Sequence, residues 1–119
     1  MNLRKLLKTE VQIVIDVEQE DMVPIEGNVQ SSEDPESDRE SEEWVRKQLD
    51  SGNDLAWCQV TVRASWKGFV GQDHLGAVSC ANQEDLDALI EAHAMEANAL
   101  AALNKSVAEH FATLLELAS

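Results

Sequence analysis

The sequence predicts an α+β protein: a three-stranded, mainly antiparallel sheet in chain order β-α-β-β-α, packed by a short acidic helix and a long C-terminal helix. Three observations carry that prediction. Two segments alternate apolar and polar residues with the period of two that belongs to strands, and a pair of glycines folds the second back on itself. The last third spaces its apolar residues by threes and fours, the period of a helix. At 119 residues the chain suits a single domain spanning 1–119.

Val11, Ile13, Ile15 and Val17 alternate with Gln12, Val14, Asp16 and Glu18, and β-branched side chains suit a pleated surface. One half-buried strand is therefore predicted over 9–18. From Gln19 to Ser32 the periodicity lapses and Pro24 and Gly27 interrupt the chain, so an acidic, flexible loop is expected over 19–33. Asp34-Pro35-Glu36 then reads as an N-cap with proline at the first helical position, where its missing N–H costs no bond. Ser37 and Glu40 repeat the capping-box spacing slightly later. The helix should reach Asp50, with Trp44, Val45 and Leu49 as a narrow apolar stripe and Ser51-Gly52-Asn53 as its stop.

Ala56, Cys58, Val60, Val62, Ala64 and Trp66 occupy alternate positions, which predicts a second strand over 55–66 with its even-numbered face buried. Gly68 and Gly71 bracket Phe69-Val70. A fold-back centred on Phe69 would pair Val60 with Val78, Val62 with Gly76, Ala64 with His74 and Cys58 with Cys80, keeping apolar residues on one face.

Asn82 reads as the N-cap of a helix with Glu84 and Asp85 in its first turn. Leu86, Ile90, His93, Ala97, Leu100, Asn104, Val107, Phe111, Leu114 and Ala118 form its seam, widened by Leu89, Leu103 and Leu117. If continuous to Ser119 this helix would be about 50 Å long, more than a small sheet covers. It must either break, with Asn98 and Asn104-Lys105-Ser106 as weak points, or dimerise. The second option places Leu103, Val107, Phe111 and Leu114 in a homodimer interface. His93 and Asn104 are expected to fix helix register and to take no part in catalysis.

Charge is unevenly spread. Twelve of the 23 acidic residues fall between Asp16 and Glu43 against one basic residue, Arg39, so this stretch carries 12 − 1 = 11 of the 14 net negative charges. Such a balance disfavours direct binding to nucleic acid or an anionic membrane and favours a basic protein surface. Part of the acidity has an ordinary structural use, since a helix dipole rewards carboxylates in the first turn by roughly 0.3–1 kcal/mol each.

Catalytic and metal chemistry find little support. His93 and His110 would sit about 25 Å apart on a straight helix, and no His-Glu-x-x-His spacing exists. Cys58 and Cys80 fall on the predicted buried face. His74 would lie roughly 20 Å from Cys80, too far for a thiolate–imidazolium pair. The cysteines read as core thiols, with a disulfide between them geometrically open. No glycine-rich loop leads from a strand into a helix. The chain is accordingly expected to be no enzyme, with no catalytic residue, metal or cofactor. No 18-residue apolar run and no signal-peptide core occur, so the expected place is the cytoplasm.

The segment Trp57-Cys58-Gln59-Val60-Thr61-Val62-Arg63-Ala64-Ser65-Trp66-Lys67-Gly68-Phe69-Val70-Gly71-Gln72-Asp73-His74-Leu75-Gly76 resembles small proteins carried by phages and other mobile elements. The size and acidity of the whole chain are similar to those of phage-encoded inhibitors of host defence, including anti-CRISPR proteins and DNA mimics of restriction enzymes. The resemblance carries no catalytic or binding residue over. It implies an inhibitor in the host cytoplasm whose acidic surface occupies a basic, nucleic-acid-binding site of a defence complex. From charge, the contact residues would be Glu33, Asp34, Glu36, Asp38, Glu40, Glu42 and Glu43, with Trp44 as an anchor. The alternative is a structural or assembly protein acting by helix-mediated homodimerisation.

Overall fold

A computed structural model of the chain describes residues 3–20 and 35–118. After a 3-10 turn at Lys8–Glu10 come strand β1 (Gln12–Gln19), helix α1 (Pro35–Asp50) and a second 3-10 turn at Asp54–Ala56. Strands β2 (Cys58–Trp66) and β3 (Phe69–Val78) follow, then helices α2 (Gln83–Ala92) and α3 (Met95–Ala118). The sheet is antiparallel in order β1-β2-β3, so the protein is α+β in the predicted chain order. The loop expected over 19–33 lies, beyond Glu20, outside the described residues. Backbone contacts divide the chain into two compact units: Met1–Asp16, Thr61–His74 and Ile90–Ser119 form one, and Val17–Val60 and Leu75–Leu89 the other.

In the first unit the buried hydrophobic side chains are Leu6, Val62, Ala64, Ile90, Met95, Ala99 and Leu103. The hairpin closes through Lys67 and Gly68, at φ 45° and 87°, the paired positive values that a tight type I′ turn demands. Thr61 therefore faces His74, with Oγ1 and Nδ1 2.9 Å apart. This corrects the register expected from a fold-back on Phe69, which would have paired Ala64 with His74. Trp66, Phe69 and His110 form an aromatic run, with ring centroids at 6.3 and 5.2 Å, that ties the hairpin end to α3. The part of β1 in this unit is poorly covered, since it lies at the sheet edge and Val14 and Ile15 stay about 40% exposed.

The helix expected from Asn82 breaks, one of the two expected outcomes, but not at the expected weak points. Asn82 caps α2, accepting from the Asp85 N–H at 2.9 Å. The helix then stops at His93-Ala94, where Ala94 takes φ 50° and its N–H donates to the Glu91 carbonyl. Asn98 is no break point: its amide donates to the freed His93 carbonyl at 3.1 Å and to Asp73 of β3 at 3.0 Å. The left-handed residue resets the helical phase. As a result Met95, Ala99 and Leu103 are buried, and Ala97, which the unbroken stripe placed inside, is exposed.

In the second unit the buried residues are Val45, Ala56, Trp57, Cys58, Val60, Val78, Cys80 and Leu86. Helix α1 packs Val45 and the half-buried Leu49 on Trp57. It ends in a Schellman arrangement: the Asn53 N–H donates to the Gln48 carbonyl at 2.9 Å, and Gly52, at φ 94°, donates to that of Leu49 at 3.0 Å. Near the end of β3, Ala77 has φ 54° and interrupts the alternation, as a bulge does, so that Val78 turns inward. The Ala77 N–H donates to the Glu20 carboxylate. Beyond it the Cys80 N–H donates to the Leu55 carbonyl at 2.8 Å. This bulge explains why Cys58 and Cys80 are both buried although the register differs from the expected one.

Candidate functional site

The residues singled out by charge converge on α1 in the second unit. At 100° per residue, Glu36, Glu40 and Glu43 fall on one face, and all three are exposed. Asp38 and Glu42 lie toward the flank of the buried Val45 and are partly covered. Trp44 borders the Glu40 side of the acidic face and remains 39% exposed. Glu33 and Asp34 lie outside the described residues. Over residues 36–43 the helix carries five carboxylates against Arg39, while its basic residues Arg46 and Lys47 come late, an arrangement that the helix dipole supports at both ends.

Beside this face lies a cavity of about 530 Å³ lined by Ser37, Glu40, Ser41 and Trp44 of α1 with Val45, Trp57, Ala77 and Ser79. Sequence reasoning placed neither the three serines nor the bulge residue at a site, because serine spacing signals at most a helix cap and the bulge is set by tertiary pairing. An indole edge, one carboxylate and three hydroxyls suit a cationic side chain: the ring attracts it by roughly 0.5–1 kcal/mol when exposed, and the carboxylate adds a charge-assisted hydrogen bond. Trp57 is 2% exposed and belongs to the core, so Trp44 is the aromatic group open to a partner.

The residues proposed for a dimer seam separate. Leu103 is fully buried in the first unit and is spent on the fold, which removes it from any interface. Val107 and Phe111 are half-buried, whereas Leu114, Leu115 and Leu117 are 49%, 53% and 79% exposed. His93 and Asn104 do not share a helical seam. His93 sits in the α2–α3 turn, and Asn104 accepts from the Leu6 N–H at 2.8 Å and donates to the Leu6 carbonyl at 3.2 Å.

Cys58 and Cys80 are free and buried. Burial pushes the Cys58 thiol up to about 11, with Cys80 and Glu20 adding to the rise, and burial also raises Cys80. Neither is an activated nucleophile. Among the described residues no group of three or more histidine, cysteine, aspartate or glutamate side chains could hold a metal ion, and no helix is long and apolar enough to cross a membrane. Comparisons with protein-family models, curated proteins and solved structures found no match.

Proposed function

We propose that this chain is a non-enzymatic, protein-binding inhibitor that lays the acidic face of α1 on a basic, nucleic-acid-binding surface of its partner. The defence complexes targeted by anti-CRISPR and anti-restriction proteins are the kind of partner that the compositional resemblance suggests. The observation that supports this reading is the shared exposed face of Glu36, Glu40 and Glu43, flanked by a half-exposed tryptophan. On a helix these carboxylates are spaced by about 6 and 4.5 Å along the axis, approaching the one charge per about 3.4 Å of a nucleic-acid strand. A rigid helix holds that spacing without the ordering cost of a coil, and the net charge of −14 steers the chain toward a cationic groove. Blocking would then be steric and electrostatic, with no bond made or broken.

The test is affinity capture from a host lysate with native protein and the variant Glu36→Gln/Glu40→Gln/Glu43→Gln as paired baits. A nucleic-acid-binding complex retained by the native form alone, with retention falling steeply as salt rises, is the expected result. Equal capture by both baits, or retention indifferent to salt, would overturn the proposal.

A second reading, assembly through helix-mediated homodimerisation, is favoured by one separate observation: Leu114, Leu115 and Leu117 are exposed together in the last turns of α3. Under it, Leu114→Glu/Leu117→Glu converts a concentration-dependent dimer into a monomer in sedimentation. A native chain that is monomeric at tens of micromolar excludes it.

A further inference from the structure

We propose that the groove between the N-terminal segment and α3, in the first unit, binds a long-chain carboxylate, its hydrocarbon on the apolar floor and its anion against Lys5 and Lys105. The groove encloses about 790 Å³ between residues 3–7 on one side and the stretch from Ala97 to Ala108 on the other. Leu3, Leu6 and Leu7 face Leu100, Val107 and the small side chains of α3, and Trp66 also lines it. The volume lies within the range of small-molecule sites, roughly 300–1,000 Å³, and the floor follows the usual pattern of apolar lining with a few convergent polar groups.

The N-terminal segment is held as a fixed wall. Asn104 exchanges two hydrogen bonds with the Leu6 backbone, Leu6 is itself buried, and Lys8 pairs with Glu96 of α3. A preformed groove spares a ligand the cost of ordering its site. The cations divide by their partners. Arg4 is held by both oxygens of Glu10, at 2.7 and 2.6 Å, so its charge is already matched. Among the described residues Lys5 and Lys105 have no ion-pair partner, although the chain carries 23 carboxylates. Two unmatched ammonium groups beside a hydrocarbon floor complement a single anion with an apolar tail.

The experiment is titration of the full chain with octanoate, decanoate and dodecanoate below their micelle concentrations, and with dodecanol, by calorimetry and by NMR of the Asn104 side-chain amide. Each buried methylene is worth about a fourfold gain in affinity, so two should tighten binding about fifteenfold. Dodecanol should bind about tenfold more weakly than dodecanoate, and Lys5→Gln/Lys105→Gln should bring dodecanoate to the level of the alcohol. Ala101→Phe, at an exposed position in the lining, should abolish binding while the thermal midpoint shows that the fold is kept. The proposal fails if acid and alcohol bind alike, if saturable binding is absent, or if these variants leave affinity unchanged. It also fails if Ala101→Phe instead dissociates a dimer, since the occupant would then be a second copy of the chain. These outcomes are independent of whether α1 binds a basic partner.

Discussion

Gly71 of β3 sits against the backbone of Leu103 in α3, so close that a Cβ at position 71 would fall on the Leu103 amide nitrogen and the Ala99 carbonyl oxygen, and 2.6 Å from the Leu103 Cα. All three obstacles are backbone atoms of one helix turn. Gly71→Ala must therefore push α3 off the sheet, because no side chain can rotate away. The expected loss is about 3 kcal/mol in urea unfolding, at the upper end of overpacking costs. Trimming the neighbouring side chains, as in Gly71→Ala/Leu103→Ala, should add a cavity penalty and rescue nothing.

Ala94 holds φ 50° at the break between α2 and α3, a conformation in which an L side chain crowds the following carbonyl. Ala94→Gly relieves that crowding, at some cost in unfolded-chain entropy. A net gain of about 0.5–1 kcal/mol is expected, read as a rise in the urea midpoint at unchanged slope. A loss would mean that the residue is not left-handed in solution.

The thiols should be inert in the native protein. With Cys58 raised to about 11 by burial, the thiolate fraction at pH 8 is about one in a thousand, and the residue is 1% exposed. An aromatic disulfide reagent at pH 8 should label Cys58 and Cys80 only at the rate of unfolding and both promptly in denaturant. Rapid labelling of either in the native state would contradict the buried assignment.

Glu10 provides the pH prediction. Hydrogen bonds from Arg4 and from the Leu7 N–H lower its folded pKa from 4.5 to about 2, so its contribution is fully present above about pH 4.5 and is lost as pH falls toward 2. The difference in thermal midpoint between the native chain and Glu10→Gln should be constant near neutrality and close across that acidic window. The pair is exposed, so the difference should be small and should shrink further in high salt.

Much of the fold was legible because it rests on local rules. The period-two face of β2, the Gly52 stop of α1 and the Asn82 cap of α2 each follow from residues within a few positions of one another. The two cysteines also lie buried as predicted. The acidic face of α1 was legible for the same reason, since helical spacing alone sets Glu36, Glu40 and Glu43 side by side.

The remainder was decided only in three dimensions. Apolar alternation favoured a fold-back on Phe69, but the chain turns at Lys67-Gly68 and restores the inward face with a bulge at Ala77. A helical period cannot reveal that Ala94 resets the phase, because an alanine is locally the best helix former and only the tertiary gain of seating Ala99 and Leu103 over Gly71 outweighs its preference. Asn104 looked like a register residue within a helix pair, yet its partner is the backbone of Leu6, 98 positions away. Residue type and spacing thus determined which segments become strand or helix and where the negative charge gathers. The turn at Lys67-Gly68 set the hairpin register, and close packing between distant segments decided helix phase and both grooves, since those depend on contacts that chain order does not encode.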